Sequence, residues 1–486
     1  MRFARGVCPV YFFYKKYSMS HLSYRDLIHQ TYDFPQLGFD VNKSWNLVWN
    51  GVDLLQQVKK ASPVKISYLP KIREKIQYAN KIFNSAIEKY FYDGNYIYSY
   101  CTKSSHFEFV LDQVISEGAQ LELSSEFDIE IIEKLAESGK VSKKTLIICN
   151  GYKPTGYLNK IINLKRKWYT NLIVILDNKT EVDALDALLE EGEVCKVGMR
   201  VATEDEPNTD IYTSRLGTRS IDILAIYKDK IHNNKKFEFC ALHFFINTKI
   251  KDTSYYWSEL SRITGLYCDL KRFSKTLQYL DIGGGFPMPS SLNFEYDYEY
   301  IADQIIWTIK HVCESEEIQV PDIVTEFGTY TVGESGCTIF KVLGQKKQND
   351  KELWYIINSS LITTLPDIRG IDQKFIVLPI NGWNNDYEKV IIGGITCDND
   401  DFYNKDAKGN QIILPSFDDE KEDLYIGFFH TGAYQESLGW YGGIQHCLIP
   451  APKHILVDTT DNGGIQVKQF SKQQESKSML SILGYK

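Results

Sequence analysis

The chain is 486 residues long, carries a net charge of −8, and is 43% hydrophobic and 24% charged. That length exceeds what a single hydrophobic core usually serves, so two domains are expected, and the composition is that of a globular enzyme rather than a disordered or fibrous chain. The acidic balance speaks against a partner that is nucleic acid and favours a cationic substrate, while the lack of any eighteen-residue apolar run excludes a membrane-spanning helix on length.

In chain order, Arg2 and Arg5 precede an apolar run at 7–13 that is short and lacks a cleavage pattern. Residues 1–37 are therefore read as an N-terminal extension rather than a signal peptide. The ten cysteines form no CxxC pair and no metal-ligand spacing, so no metal site is expected; reduced thiols and a cytoplasmic location are. Residues 38–62 contain β-rich runs and are assigned to a β domain. From about 95 to 330 one unit recurs eight times: a short apolar, β-branched run, polar or Gly residues, then a stretch of helical period. The runs fall at 96–102, 120–123, 145–149, 171–176, 194–201, 238–246, 278–282 and 322–326, with helices predicted at 107–117, 128–137, 181–191 and 300–313. Strands too apolar to face water, alternating with helices, imply a parallel sheet covered by helices. Eight such units close into an α/β fold of the (β/α)8 TIM-barrel type, placed at 63–330, with an open doubly wound sheet as the alternative. Residues 331–470 turn to β-rich runs at 333–344, 353–357, 375–378 and 389–395 and form a C-terminal β domain, a barrel or sandwich, completed by the N-terminal segment. Residues 471–486, rich in Ser, Lys and Gln, are read as a tail.

Several strand ends carry chemistry. The first run leads into Lys103, which a barrel would aim into its mouth, although a plain surface lysine reads the same way. The sixth places His243 among apolar neighbours, as a ligand-facing or a satisfied core imidazole. The seventh ends in Gly283, Gly284 and Gly285, followed by Phe286 and Pro287. Three bare backbone units after a strand can cradle a phosphate, and this barrel class often binds one after strands seven and eight. The spacing is not a dinucleotide fingerprint, and a purely structural turn is the alternative. The eighth run ends in Glu326. An amine, an imidazole, an anion cradle and an acid thus come from four strands of one barrel.

These residues carry a family resemblance. YLPKIREKIQ at 68–77, YCTKSSHF at 100–107, IICNGYK at 147–153, LHF at 242–244, LDIGGGFP at 280–287, LPD at 365–367, TCD at 396–398 and GAYQESLG at 432–439 resemble, in order, the fold-type III, alanine racemase-like decarboxylases dependent on pyridoxal 5′-phosphate (PLP), most closely their biosynthetic arginine decarboxylases. The resemblance runs from about residue 38 to 460. It implies that Lys103 binds the cofactor covalently, that His243 stacks on its ring, that Gly283, Gly284, Gly285 and Tyr434 hold its phosphate, that Glu326 pairs with its ring nitrogen, and that Arg200 lies near it. It implies further that Cys397 donates the proton to Cα, that Asp398 receives the cationic end of the substrate, and that both come from the partner subunit of a homodimer. An intersubunit pair of Arg215 with Asp401 is also expected. Ser359 stands where ornithine decarboxylases carry an aspartate, leaving room for a longer guanidinium. The implied reaction is decarboxylation of L-arginine to agmatine for polyamine (spermidine) biosynthesis. Alternatives are the corresponding ornithine, lysine or diaminopimelate reaction, or a PLP-binding regulatory homologue without turnover. Two departures stand out: Thr329 occupies the place of the family's phosphate-contacting arginine, and Ile246 that of a serine three residues after His243.

Overall fold

The computed structural model describes residues 34–59, 61–167, 171–204, 207, 214–460 and 462–485; most of the expected N-terminal extension lies outside the described residues. Tyr96–Cys101, Gln120–Leu123, Ile147–Cys149, Leu172–Leu176, Cys195–Val201, Phe237–Phe244, Tyr279–Asp281 and Asp322–Phe327 make a closed barrel of parallel strands in which the last pairs with the first. All eight predicted runs hold a strand, and the closed barrel replaces the open-sheet alternative. Polar side chains start the outer helices: Asn178, Thr253 and Asp297 accept hydrogen bonds from the backbone N–H groups of Glu181, Tyr256 and Tyr300, supplying partners to donors that a helix start leaves free.

Strand geometry sorts the barrel's contents. Successive side chains point to opposite faces, so residues two apart share the interior. Ile148, Ile173, Ile175, Ala241 and Val324 pack together there as an apolar plug. Gly198 is required beside it, since a Cβ would stand 2.6 Å from Ile175 Cδ1 and 2.8 Å from Ala241 Cβ. One step of two residues further on come Asn150, His243 and Glu326, so the plug forms the floor on which the polar groups rest.

The second domain is built on a ten-stranded sheet. Its long strand Gly336–Lys347 pairs antiparallel with Val64–Tyr68, Leu353–Ile357 and Tyr425–Phe429, and Lys453–Thr459 runs parallel to Val64–Tyr68. A small sheet of Phe39–Val41, Leu47–Trp49 and Val52–Asp53 packs into the same core, where Phe39 and Trp49 meet Ile339, Phe429 and Val457. Both ends of the chain thus build this domain. The barrel boundary drawn at 63 differs from the structure, because Val64–Tyr68 belongs to the second sheet and the barrel's wrapping begins with the helix Pro70–Lys89. Its residues are mostly buried, and its polar side chains, Lys65 and Ser67, are taken up by Glu436 and His454 far along the chain. The segment read as a tail contains the helix Ser476–Ile482, anchored by the buried Met479. Among the described residues no helix is long and apolar enough to cross a membrane.

Candidate active site

A cleft of about 710 Å³ opens at the C-terminal ends of the barrel strands, lined among others by Lys103, Glu122, Asn150, Arg200, His243 and Glu326. Strand register brings these side chains together: His243 lies beside Arg200 on one side and Asp281 on the other. Lys103 follows the first strand in a short turn, Thr102–Ser104, and its side chain, 44% exposed, stands in the open cleft with Nζ 2.9 Å from the fully buried Glu122 carboxylate. Enclosure by the cleft walls works against the Lys103 ammonium, yet the neighbouring Cys101, Glu122 and Glu326 outweigh it and raise its pKa well above the ordinary lysine value.

Glu326 is the centre of a buried network. Asn150 Nδ2 donates to its Oε1 at 2.6 Å, and His243 Nε2 lies 3.3 Å from its Oε2. Burial pushes the Glu326 carboxyl up, but His243, Asp281 and Lys103 together prevail and hold it below the usual carboxylate range. Asp281 moves the other way: burial and the facing Glu326 push it well up, and its Oδ2 is buried with no hydrogen-bond partner. The Gly283 N–H donates to Asp281 Oδ1 at 2.9 Å. Burial lowers the His243 pKa, while the facing Glu326 carboxylate works in the opposite direction. Arg200 is depressed by burial and partly restored by Glu326, Asp177 and Glu122.

The glycines are set by close approach. A Cβ on Gly283 would stand 2.7 Å from Phe244 O, and one on Gly284 2.3 Å from Glu326 O, so no other residue fits while the backbone keeps this course. Tyr434, in the left-handed region at φ 65°, reaches the same cleft; its N–H donates to Ser104 O at 2.8 Å and its hydroxyl accepts from Ser104 Oγ at 3.2 Å. Asn150 Oδ1, Arg200 Nε and His243 Nδ1 are buried with no hydrogen-bond partner. Polar atoms left unsatisfied at the floor of a cleft fit a ligand that brings its own donors and acceptors. With a primary amine and bare backbone beside them, the donor set suits PLP.

The structure gathers Lys103, Arg200, His243, Gly284, Gly285, Glu326 and Tyr434 around this cleft, with Gly283 at its wall. It does not bring the remaining predicted residues to it. Cys397 and Asp398 are exposed on the second domain, where Cys397 Sγ lies 3.8 Å from Cys447 Sγ and Asp398 3.8 Å from His446 Nε2. Ser359 is fully buried, its hydroxyl 3.2 Å from Thr364 Oγ1. Arg215 and Asp401, expected to pair between subunits, stand in different settings within one chain. Arg215 lines the cleft, but Asp401 is buried, and its carboxylate accepts from Leu361 N–H and from the Thr396 hydroxyl, both at 2.7 Å. Sequence reasoning missed Asn150, Asp281 and Glu122 as network members, and Phe245, whose Cδ2 would lie 3.2 Å from a Cβ on Gly283. Strand parity was the available signal: each lies two residues from another inward-facing position.

A barrel whose mouth presents a lysine amine across from a buried, ionised glutamate, joined to a β domain drawn from both chain ends, defines the alanine racemase-like class of PLP enzymes. The sequence model described as "Pyridoxal-dependent decarboxylase, pyridoxal binding domain" matches residues 70–333, more than half of the chain, and the protein belongs to that family. Among curated relatives, a biosynthetic arginine decarboxylase of Prochlorococcus marinus is 23% identical over 89% of this chain and 85% of its own length. Among solved structures, the biosynthetic arginine decarboxylase of Campylobacter jejuni superposes with a TM-score of 0.80 at 20% identity, covering 93% of this chain and 91% of that one. A diaminopimelate decarboxylase of M. jannaschii superposes with a TM-score of 0.74 at 16% identity, covering 91% and 96%.

Proposed function

We propose that this PLP-dependent decarboxylase converts L-arginine to agmatine and CO2, feeding polyamine biosynthesis in the cytoplasm. The observation that carries the substrate assignment is the likeness to biosynthetic arginine decarboxylases along nearly the whole chain. The acidic net charge supports a cationic substrate as well.

Bound in the cleft, PLP supplies an electron sink for the pair released as the α-carboxylate departs. The chain's own residues prepare for this. Lys103 would hold the cofactor, its amine positioned by the Glu122 carboxylate 2.9 Å from Nζ. Glu326, kept ionised by its donors, would pair with the ring nitrogen and favour its protonated form, because an adjacent carboxylate favours the charged form. A cationic partner at that nitrogen would suit racemisation instead. Gly283, Gly284, Gly285 and Tyr434 would hold the phosphate, and Arg200 and His243 would complete the ring's surroundings.

The exposure of Cys397 and Asp398 away from their own chain's cleft supports a head-to-tail homodimer. Cys397 of the partner subunit would then protonate Cα, and Asp398 of the partner subunit would receive the guanidinium by charge-assisted hydrogen bonds. Purified protein incubated with PLP and labelled arginine, ornithine, lysine or diaminopimelate tests the assignment. Agmatine is the expected product; putrescine, cadaverine or lysine would move the substrate to the corresponding amino acid. Lys103→Ala is expected to abolish both turnover and the near-visible absorbance of the lysine–cofactor linkage, and a persisting absorbance would show that another lysine holds the cofactor.

A further inference from the structure

The PLP phosphate needs a cation, and the place where the family resemblance puts an arginine holds Thr329. We infer that Lys249 supplies the missing positive charge, binding the cofactor phosphate from the rim of the glycine cradle. This rests on the cofactor reading above and extends it to a residue outside the resemblance.

Lys249 lines the same cleft as Gly284, Gly285 and Thr329. Its position is built in by the backbone. Lys249 lies in the left-handed region at φ 71°, a conformation that costs a non-glycine residue about 1 kcal/mol or more. The next residue's N–H, on Ile250, then donates to Gly285 O at 3.0 Å, and Tyr296 Oη donates to Ile250 O at 2.9 Å. The segment is thereby clamped to the cradle so closely that a Cβ on Gly285 would lie 3.2 Å from Lys249 Cα. Ile246, which stands where a serine is common, is buried in the barrel's apolar core and offers the phosphate nothing.

The electrostatics match an anion yet to arrive. Among the described residues Lys249 makes no ion pair, unlike the cleft lysine Lys103 with its Glu122 partner. Its pKa is lowered, first by loss of solvent against the cleft walls and then by Lys251, a second cation. A partly desolvated ammonium without a counter-charge is unfavourable until an anion reaches it. The Gly283 N–H is engaged by Asp281, whereas the Gly284 and Gly285 N–H groups have no acceptor among the described residues. Two backbone donors and one ammonium around a concave turn suit a phosphate, with lysine acting as a point charge in place of arginine's planar fork.

Titration of the apoprotein with PLP and with pyridoxal, which lacks the phosphate, tests this. Lys249→Gln should weaken PLP binding at least tenfold and leave pyridoxal binding unchanged. Lys249→Arg should restore the affinity, and Lys251→Gln should behave as wild type. Stabilisation of the apoprotein by inorganic phosphate, read as a shift in Tm, should disappear in Lys249→Gln. Unchanged PLP affinity in Lys249→Gln, or an equal loss for PLP and pyridoxal, overturns the inference while leaving the cofactor assignment intact. A raised KM for the amino acid with PLP affinity preserved also overturns it, reassigning the cation to the substrate carboxylate. Failure of the wild-type protein to take up PLP at all overturns both readings.

Discussion

Glu326 stays ionised in a buried place because its neighbours are arranged to keep it so, and Asn150 is the neighbour whose contribution is easiest to isolate. Its amide donates at 2.6 Å and carries no charge, so its removal takes away one donor without altering the local charge count. Asn150→Ala is expected to destabilise the protein by about 1–3 kcal/mol, the cost of leaving a buried acceptor without its donor. It should lower kcat more than KM, since Glu326 would hold the ring nitrogen less firmly; unchanged kcat would make Asn150 purely structural. The sequence revealed the residues that end a motif, Lys103, the three glycines and Glu326, because each sits where an apolar run stops. It hid Asn150 and Asp281. The first also ends an apolar run but carries an uncharged amide that nothing local singles out, the second stands beside a more conspicuous glycine turn, and their roles depend on which strands become neighbours. Ser359 shows the converse: a motif position that the resemblance assigned to the substrate is closed off by its own chain, its hydroxyl spent on Thr364.

Among the elements, the junction of the helix Glu108–Ser116, which follows the first barrel strand, with the second domain carries a pH signature. His454, on Lys453–Thr459, is buried between Phe107, Phe109, Tyr441 and Phe470, with its Nε2 2.9 Å from Ser67 Oγ. The charges acting on it are Glu436 and Lys65, which form their own ion pair at 2.9 Å. Burial lowers its pKa from 6.5 to about 4. The folded state therefore prefers the neutral ring, and the unfolded chain takes up the proton first as pH falls. The associated stability is fully present above pH 6.5 and is lost as pH drops toward 4. The shift predicts a loss of about 2 kcal/mol between pH 6.5 and 5 from this group. Denaturant unfolding across that range should show a shallower fall for His454→Gln than for wild type; parallel curves would place the acid sensitivity elsewhere. None of this was legible beforehand, because the aromatic cage joins residues that only the folded topology brings together.

For the whole molecule, the question is whether one chain makes a complete site. Cys397 and Asp398 lie outside their own cleft, which is why the proposed catalyst is a dimer. Lys103→Ala and Cys397→Ala subunits, each inactive alone, are expected to recover roughly a quarter of wild-type activity when mixed and reassociated, since half of the random dimers are mixed and each restores one site of two. No recovery, with exchange of subunits verified, would place both residues' work within a single chain. The two-domain plan itself was readable from the shift between helix-alternating and β-rich patterns. The membership of Val64–Tyr68 was not, since strand partners far apart in sequence leave no local mark.

That strand has a consequence for biosynthesis. Val64–Tyr68 leaves the ribosome before the barrel, yet its parallel neighbour, Lys453–Thr459, is made only after the barrel is complete. At roughly 5–20 residues per second, the whole barrel can be translated and begin to close while one edge of this strand waits, its backbone donors and acceptors available to any passing chain. Synthesis of Lys453–Thr459 therefore both advances the second domain and seals an edge left exposed while the barrel was made. A nascent chain arrested before Lys453 would carry a formed cofactor barrel with an open, adhesive flank.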